Sequence, residues 1–298
     1  MIRPSYGRGV LAPILHGALE SLEARPTSIF VLMDRRAKAA VAPMERALDR
    51  FGVPTQVRRW WPSEENKTLE GAEALMRWMV RGGVDRGSLL LAVGGGITTD
   101  LGGFAAACVL RGIRWGAVPT TLLGMADAAI GGKTAVNLPE GKNLGGAFHM
   151  PEFVLCDVAL LKGLADREWN CGLGEVVKTG MVGHGDLLSF LEEVPATKIR
   201  RPGDAALRLA LESGEVKLRI VEADPLEHGL RKLLNLGHTF GHALETAAGP
   251  RKLAHGEAVG LGLLCALRMS EELSISEPGY RSRIHALLRK CGLPVNYP

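Results

Sequence analysis

The sequence predicts an α/β protein, with a mostly parallel sheet in its first half and helices nearly throughout its second, on three observations. Apolar runs of strand length alternate with amphipathic helical stretches up to residue 158, the signature of βαβ units. An apolar run at 89–93 breaks into Gly94, Gly95 and Gly96 and then enters a small-residue helical stretch. From residue 159 the strand-like runs stop. The expected domains are therefore 1–158 and 159–298, with the cleft between them as the expected site.

The elements follow in order. LAPILHGALESLEA is helical by periodicity, SIFVLMD is a buried strand with Asp34 at its exit, and AAVAPMERALDRFG is a helix closed by Gly52. PTQVRRWW reads as a strand and SEENKTLEGAEALMRWMVRGG as a helix capped by Ser63. SLLLAV is the strand that runs into the glycines, WGAV another before Pro119, Thr120 and Thr121, and FVLCD the last, ending at Asp157.

Composition excludes several classes. Apolar residues make up 46% of 298, too many for a disordered chain. The formal charge of +4 comes from 36 basic and 32 acidic residues without a basic block, and aromatics are 5%, so no nucleic acid is expected. An anionic small substrate suits this charge. Five scattered cysteines read as reduced core thiols of a cytoplasmic protein. MIRPSYGRGV has no apolar core of a signal peptide, and no apolar run is long enough to span a membrane.

Strand, glycine turn and helix form a phosphate-cradling arrangement, because glycine lets the backbone approach a ligand and the helix presents unpaired N–H groups. It is neither the G-x-G-x-x-G fingerprint nor a P-loop, so a purely structural turn competes with that reading. Asp127, Lys133, Asn137, Lys142 and Asn143 then fall on a glycine-rich segment expected to be active-site loop. In the second half Glu175 has Lys178 one turn on, His238 and His242 are four apart, and His255 follows. Two imidazoles and a carboxylate suit zinc with a position left open, and spacing alone selects His238 and His242 as the paired ligands.

The strings GGGITTDLGGF, RGIRWGAVPTTLL, DAAIGGKTAVNLPEGKNLGGAFH, GLGEVVKTG, RKLLNLGHTFGHALE and HGEAVG, in this order, resemble the 3-dehydroquinate synthase family of sugar-phosphate cyclases. The resemblance implies a Rossmann-like NAD-binding domain followed by an all-helical metal-binding domain. Zinc or cobalt would be held by Glu175, His238 and His255, with His242 at the substrate phosphate instead. NAD+ would meet Gly94, Gly95, Gly96, Asp100, Thr120, Thr121, Asp127, Lys133 and Lys142. Glu64 and Lys67 would join them, although PSEENKT lacks the glycine of the family's P-x-G-E-x-x-K-T. Arg111, Lys133, Lys178, Lys217 and Arg231 would grip substrate, with Asp127, Asn143 and Asn235 completing the catalytic set.

Arg111 would reach the neighbouring site of a homodimer. The implied substrate is the phosphorylated sugar acid 3-deoxy-D-arabino-heptulosonate 7-phosphate. It would be oxidised at C5, lose phosphate, be reduced again and close by an intramolecular aldol to 3-dehydroquinate. The family continues past GLPVNYP through a D-K-K segment whose lysine contacts phosphate. Thr98, Thr99 and MADAAIGG differ from the family's usual residues and leave a neighbouring cyclase specificity, such as sedoheptulose 7-phosphate, as the alternative. A metal- and NAD-dependent polyol dehydrogenase and a non-catalytic paralogue are the remaining readings.

Overall fold

A strand that is apolar at successive positions has no face for water and must be covered on both sides. That rule arranges the first of two units, Met1–Lys162, within a computed structural model that describes residues 2–183, 185–249 and 252–297. Its elements begin β1 (Ser5–Gly7), α1 (Leu11–Glu20), β2 (Ile29–Asp34), α2 (Lys38–Phe51) and β3 (Thr55–Trp60). They continue with α3 (Leu69–Arg81), β4 (Leu89–Gly94), α4 (Gly96–Cys108) and β5 (Arg114–Pro119). The sheet order is β3-β2-β4-β5, all parallel, and β2 and β4 are buried at every position. Helix α1 buries Leu11, Leu15 and Leu19, one stripe at a spacing of four. Helix α2 ends at Gly52, whose φ of 72° is the left-handed cap that glycine tolerates best.

The segment beyond β5 differs from the expected loops. A turn at Gly124–Ala128 leads to β6 (Lys133–Leu138) and β7 (Gly141–Phe148), an antiparallel hairpin. The ladder satisfies the backbone polar groups that so many glycines would otherwise leave to solvent. Helix α3 also starts later than Ser63, because Thr68 is the cap and its Oγ1 accepts from the Gly71 N–H at 3.2 Å. Upstream, Asn66 folds the chain into a turn, accepting from the Ser63 N–H at 2.9 Å and donating to the Trp61 carbonyl at 2.6 Å.

Beyond β7 the Ala117 N–H donates to the Phe153 carbonyl at 3.0 Å, and β8 (Leu155–Asp157) pairs with β1 in parallel. Asp157 closes this end of the unit. Its carboxylate accepts from the N–H groups of Gly9, Val10, Leu11 and Ala159 at 2.7–2.9 Å, so one buried side chain ties the start of α1 to the last strand.

The second unit, Gly163–Pro298, is helical, with no strand among its described residues. It contains α5 (Asp166–Gly183), α6 (Gly185–Glu193), α7 (Ala196–Ile199), α8 (Asp204–Ala223), α9 (His238–Ala248), α10 (His255–Glu272) and α11 (Tyr280–Lys290). No helix among the described residues is long and apolar enough to cross a membrane. All five cysteines are free, and burial pushes the Cys171 and Cys291 thiols up to about 11, where they are inert.

Candidate active site

The glycine turn joins β4 to α4, with Gly94 ending the strand, Gly95 at the helix cap and Gly96 opening the helix. None of the three has a positive φ, so their role is to leave room. A Cβ on Gly94 would lie 2.5 Å from Thr98 Oγ1, one on Gly95 3.0 Å from Thr121 Cγ2, and one on Gly96 3.2 Å from Ala128 Cβ. The Thr120 N–H donates to the Gly94 carbonyl at 2.9 Å, which brings Thr120 and Thr121 beside the turn as expected. Thr98 and Thr99 are buried in the packing beneath it. Such a turn sets the positive end of a 13-residue helix against a slim backbone, an arrangement that can hold an anion.

Four of the expected contact residues converge near this helix. Lys67 is 3% exposed, and its ammonium donates to Asp100 Oδ2 at 2.5 Å and to Asn143 Oδ1 at 2.6 Å. Glu64 is exposed and meets the Asn137 side chain. Lys133 and Lys142 are exposed on the hairpin, and Asp127 is half-buried in the turn after Thr121. Arg111 is exposed at φ 68°, directly after Leu110 at φ 50°. Two consecutive non-glycine residues in the left-handed region cost on the order of 1 kcal/mol each, so the local structure holds this corner against its preference.

In the second unit, glycines again decide where the functional groups fall. A Cβ on Gly174 would lie 2.2 Å from the Gly256 carbonyl oxygen, and one on Gly256 2.3 Å from the Cys171 carbonyl oxygen. Helices α5 and α10 therefore cross at backbone contact. Likewise a Cβ on Gly262 would meet the Gly237 carbonyl oxygen at 2.0 Å, drawing the start of α9 onto α10. Glu175, His238 and His255 are each next to one of these glycines, and so converge. Glu175 Oε1 is 3.5 Å from His238 Nε2 and 3.3 Å from His255 Nε2.

Glu175 is 1% exposed, and neither of its oxygens has a hydrogen bond of good geometry, although Lys178 forms an ion pair with Oε2. Burial opposes its ionisation, but Lys178 and the two imidazoles outweigh that and hold the carboxyl well below the usual range. Burial likewise opposes a charge on His255, yet Glu175 and Glu245 raise it to about 10, whereas burial dominates at His238 and lowers it. A buried carboxylate oxygen without a hydrogen bond, facing two imidazole nitrogens, fits a divalent cation.

The pairing selected by spacing is therefore not the one that faces the carboxylate. His242 is a ring neighbour of His238 at 5.5 Å, but it groups with Glu245 and His255. Of the expected substrate contacts, Lys178, Lys217 and Arg231 are buried. Arg231 is held by its guanidinium on the Pro225 carbonyl at 2.5 Å and by its N–H on Asp224 at 3.0 Å. Asn235 is exposed and donates to Glu227 at 2.9 Å. Sequence reasoning missed the glycines at the helix crossings and the acceptor role of Asp224, since neither leaves a periodic signal.

Models of the N-terminal and C-terminal domains of 3-dehydroquinate synthase match residues 60–171 and 172–298. A 3-dehydroquinate synthase from Symbiobacterium thermophilum is 41% identical over 99% of this chain and 83% of its own length. One from Solibacter usitatus is 45% identical over 78% of this chain and 65% of its own, so the chain spans under two thirds of that relative. The structure superposes with a TM-score of 0.90 and 29% identity on a 2-epi-5-epi-valiolone synthase from Streptomyces hygroscopicus with NAD+ and Zn2+ bound. That match covers 100% of this chain and 82% of the other.

Proposed function

The chain belongs to the 3-dehydroquinate synthase family, and from that premise we propose that it converts 3-deoxy-D-arabino-heptulosonate 7-phosphate to 3-dehydroquinate and phosphate. The observation that carries the reading is the convergence of buried Glu175 and Lys178 with the half-buried imidazoles of His238 and His255, a polar set for which packing alone gives no reason. Bound NAD+ would supply an acceptor that takes up and returns one hydride per turnover, and zinc or cobalt the Lewis acidity that acidifies the substrate alcohol.

The chain's own residues divide the remaining work. Glu175, His238 and His255 hold the metal ion, and Gly94, Gly95, Gly96 and the start of α4 hold the dinucleotide phosphates, with Asp100, Thr120, Thr121, Glu64, Lys67 and Lys142 around them. Lys178, fixed against Glu175 and excluded from water, orients the substrate and stabilises negative charge on its oxygens. Lys217, Arg231, Lys133 and His242 grip carboxylate and phosphate, and Arg111 serves the site of a second copy in a homodimer.

Incubation of the full gene product with this substrate, catalytic NAD+ and zinc tests the proposal. Phosphate and dehydroquinate should form together without net NADH. A folded, metal-loaded protein that releases no phosphate rejects the assignment. Turnover of sedoheptulose 7-phosphate instead keeps the cyclase chemistry and moves the specificity, and net NADH from a polyol makes the protein a dehydrogenase.

A further inference from the structure

We propose that Asn137 is the positioning residue of the nucleotide site, using its side-chain amide and its backbone N–H to lock together the segments that present Glu64, Lys67 and Asn143. The ladder of β6 and β7 shifts register between Val136 and Leu138, so Asn137 stands out of the regular pairing. Its backbone N–H donates instead to the Lys67 carbonyl at 2.7 Å. Its side-chain Nδ2 donates to the Glu64 carbonyl at 2.9 Å and to Glu64 Oε2 at 2.8 Å, while Oδ1 accepts from the Asn143 N–H at 3.0 Å. A backbone N–H can only donate and a carboxylate only accept, so these partners fix which way the amide points.

The circuit then closes through Lys67. Asn143 is held at φ 59°, and its side-chain oxygen receives the Lys67 ammonium, whose other contact is Asp100 on α4. Asn137, Asn143 and Lys67 thus form one ring of hydrogen bonds, closed by the Asn137 N–H on the Lys67 carbonyl, with Glu64 tied to it through Asn137 and Asp100 anchoring it to the helix that follows the glycine turn. Only a group with a donor and an acceptor on one planar head can occupy the Asn137 position. An aspartate there would keep the Asn143 bond but set a carboxylate against Glu64, freeing Glu64 and straining the turn at Asn143.

The inference rests on the proposal that this unit binds NAD+, and the test separates the two. NAD+ affinity by calorimetry, melting temperature and metal content would be measured for the wild type, N137D, E64Q and N137D/E64Q. N137D should weaken NAD+ by about tenfold or more with metal content unchanged. On the E64Q background the same change should cost less than about threefold, because a glutamine amide at position 64 can donate to the new carboxylate.

Equal loss in both backgrounds, or a lowered melting temperature with NAD+ affinity within about twofold of wild type, overturns the positioning role. N137S, which adds no charge but cannot span both partners, gives the same reading should N137D not fold: weakened NAD+ supports the proposal and wild-type affinity overturns it. A wild type that does not bind NAD+ rejects the nucleotide reading and this inference with it.

Discussion

The glycine turn of the first unit and the histidine cluster of the second both prepare a place for charge, one with backbone and the other with side chains. At the turn the positive potential belongs to the end of α4, and the sequence contributes mainly an absence of side chains at Gly94, Gly95 and Gly96. In the cluster every charge is carried by a named residue, and Glu175 is buried with Lys178, His238 and His255 as its electrostatic partners. A backbone site should fail when atoms are added and degrade gradually. A side-chain site should fail when atoms are removed and do so abruptly, because deleting one partner leaves a buried charge uncompensated.

The sharpest break of this contrast is His255→Ala. Removing an imidazole that faces Glu175 should lower metal affinity by more than about a hundredfold, beyond what loss of an outer contact causes. Elemental analysis should find the ion largely gone from this variant and retained in His242→Ala. The reverse pattern would restore the ligand pair suggested by helix spacing.

Lys178→Ala comes next, with turnover falling by about 10² to 10³ while most of the metal stays, as expected for lost charge stabilisation. Steady-state rates set against metal content decide it, since a parallel fall in both would make Lys178 a structural support for Glu175. In the first unit Gly95→Val should weaken NAD+ by about tenfold, because its side chain would press on the Thr121 methyl and occupy the approach. Calorimetry giving unchanged affinity would remove the turn from the site.

The smallest effect concerns Asp224, which accepts the Gly229 and Arg231 N–H groups and then that of His228, contacts that lower its pKa to about 2. A depressed carboxyl stabilises the fold above its unfolded pKa and ceases to do so as pH falls through the folded value. Melting curves of wild type and Asp224→Ala should therefore differ at neutral pH and converge between about pH 4 and pH 2. A constant gap across that range would show that the carboxylate charge is not what holds the turn before Arg231.

How far the sequence revealed the molecule follows the same division. Apolar runs such as FVLMD and LLLAV identify buried parallel strands because the periodicity of burial is written in them, and Gly52 ends its helix where expected. Ser63 looked like a cap because serine before acidic residues usually is one. Asn66 and Thr68, both equally good at bonding nearby backbone, took the chain into a turn first. The hairpin at 133–148 was hidden because glycine suppresses the alternation that marks a strand, and its pairing partner is what stabilises it. That Glu175 meets His238 and His255 was indicated only by the resemblance. Gly174, Gly256 and Gly262 bring three distant segments together, and no local pattern records a crossing of helices.

The clip at Asp157 has a consequence for the order of events during synthesis. β1 takes its ladder from β8, and the N–H groups of Gly9, Val10 and Leu11 find their acceptor 146 to 148 residues later in the chain. The first strand therefore leaves the ribosome without a partner and waits on the order of ten seconds for one. The segment SYGRGV is short and polar enough to remain solvated in the interval, which limits its chance of pairing with a neighbouring nascent chain. The pairing of β1 and the satisfaction of the Gly9, Val10 and Leu11 N–H groups therefore wait until the segment carrying Asp157 has been made.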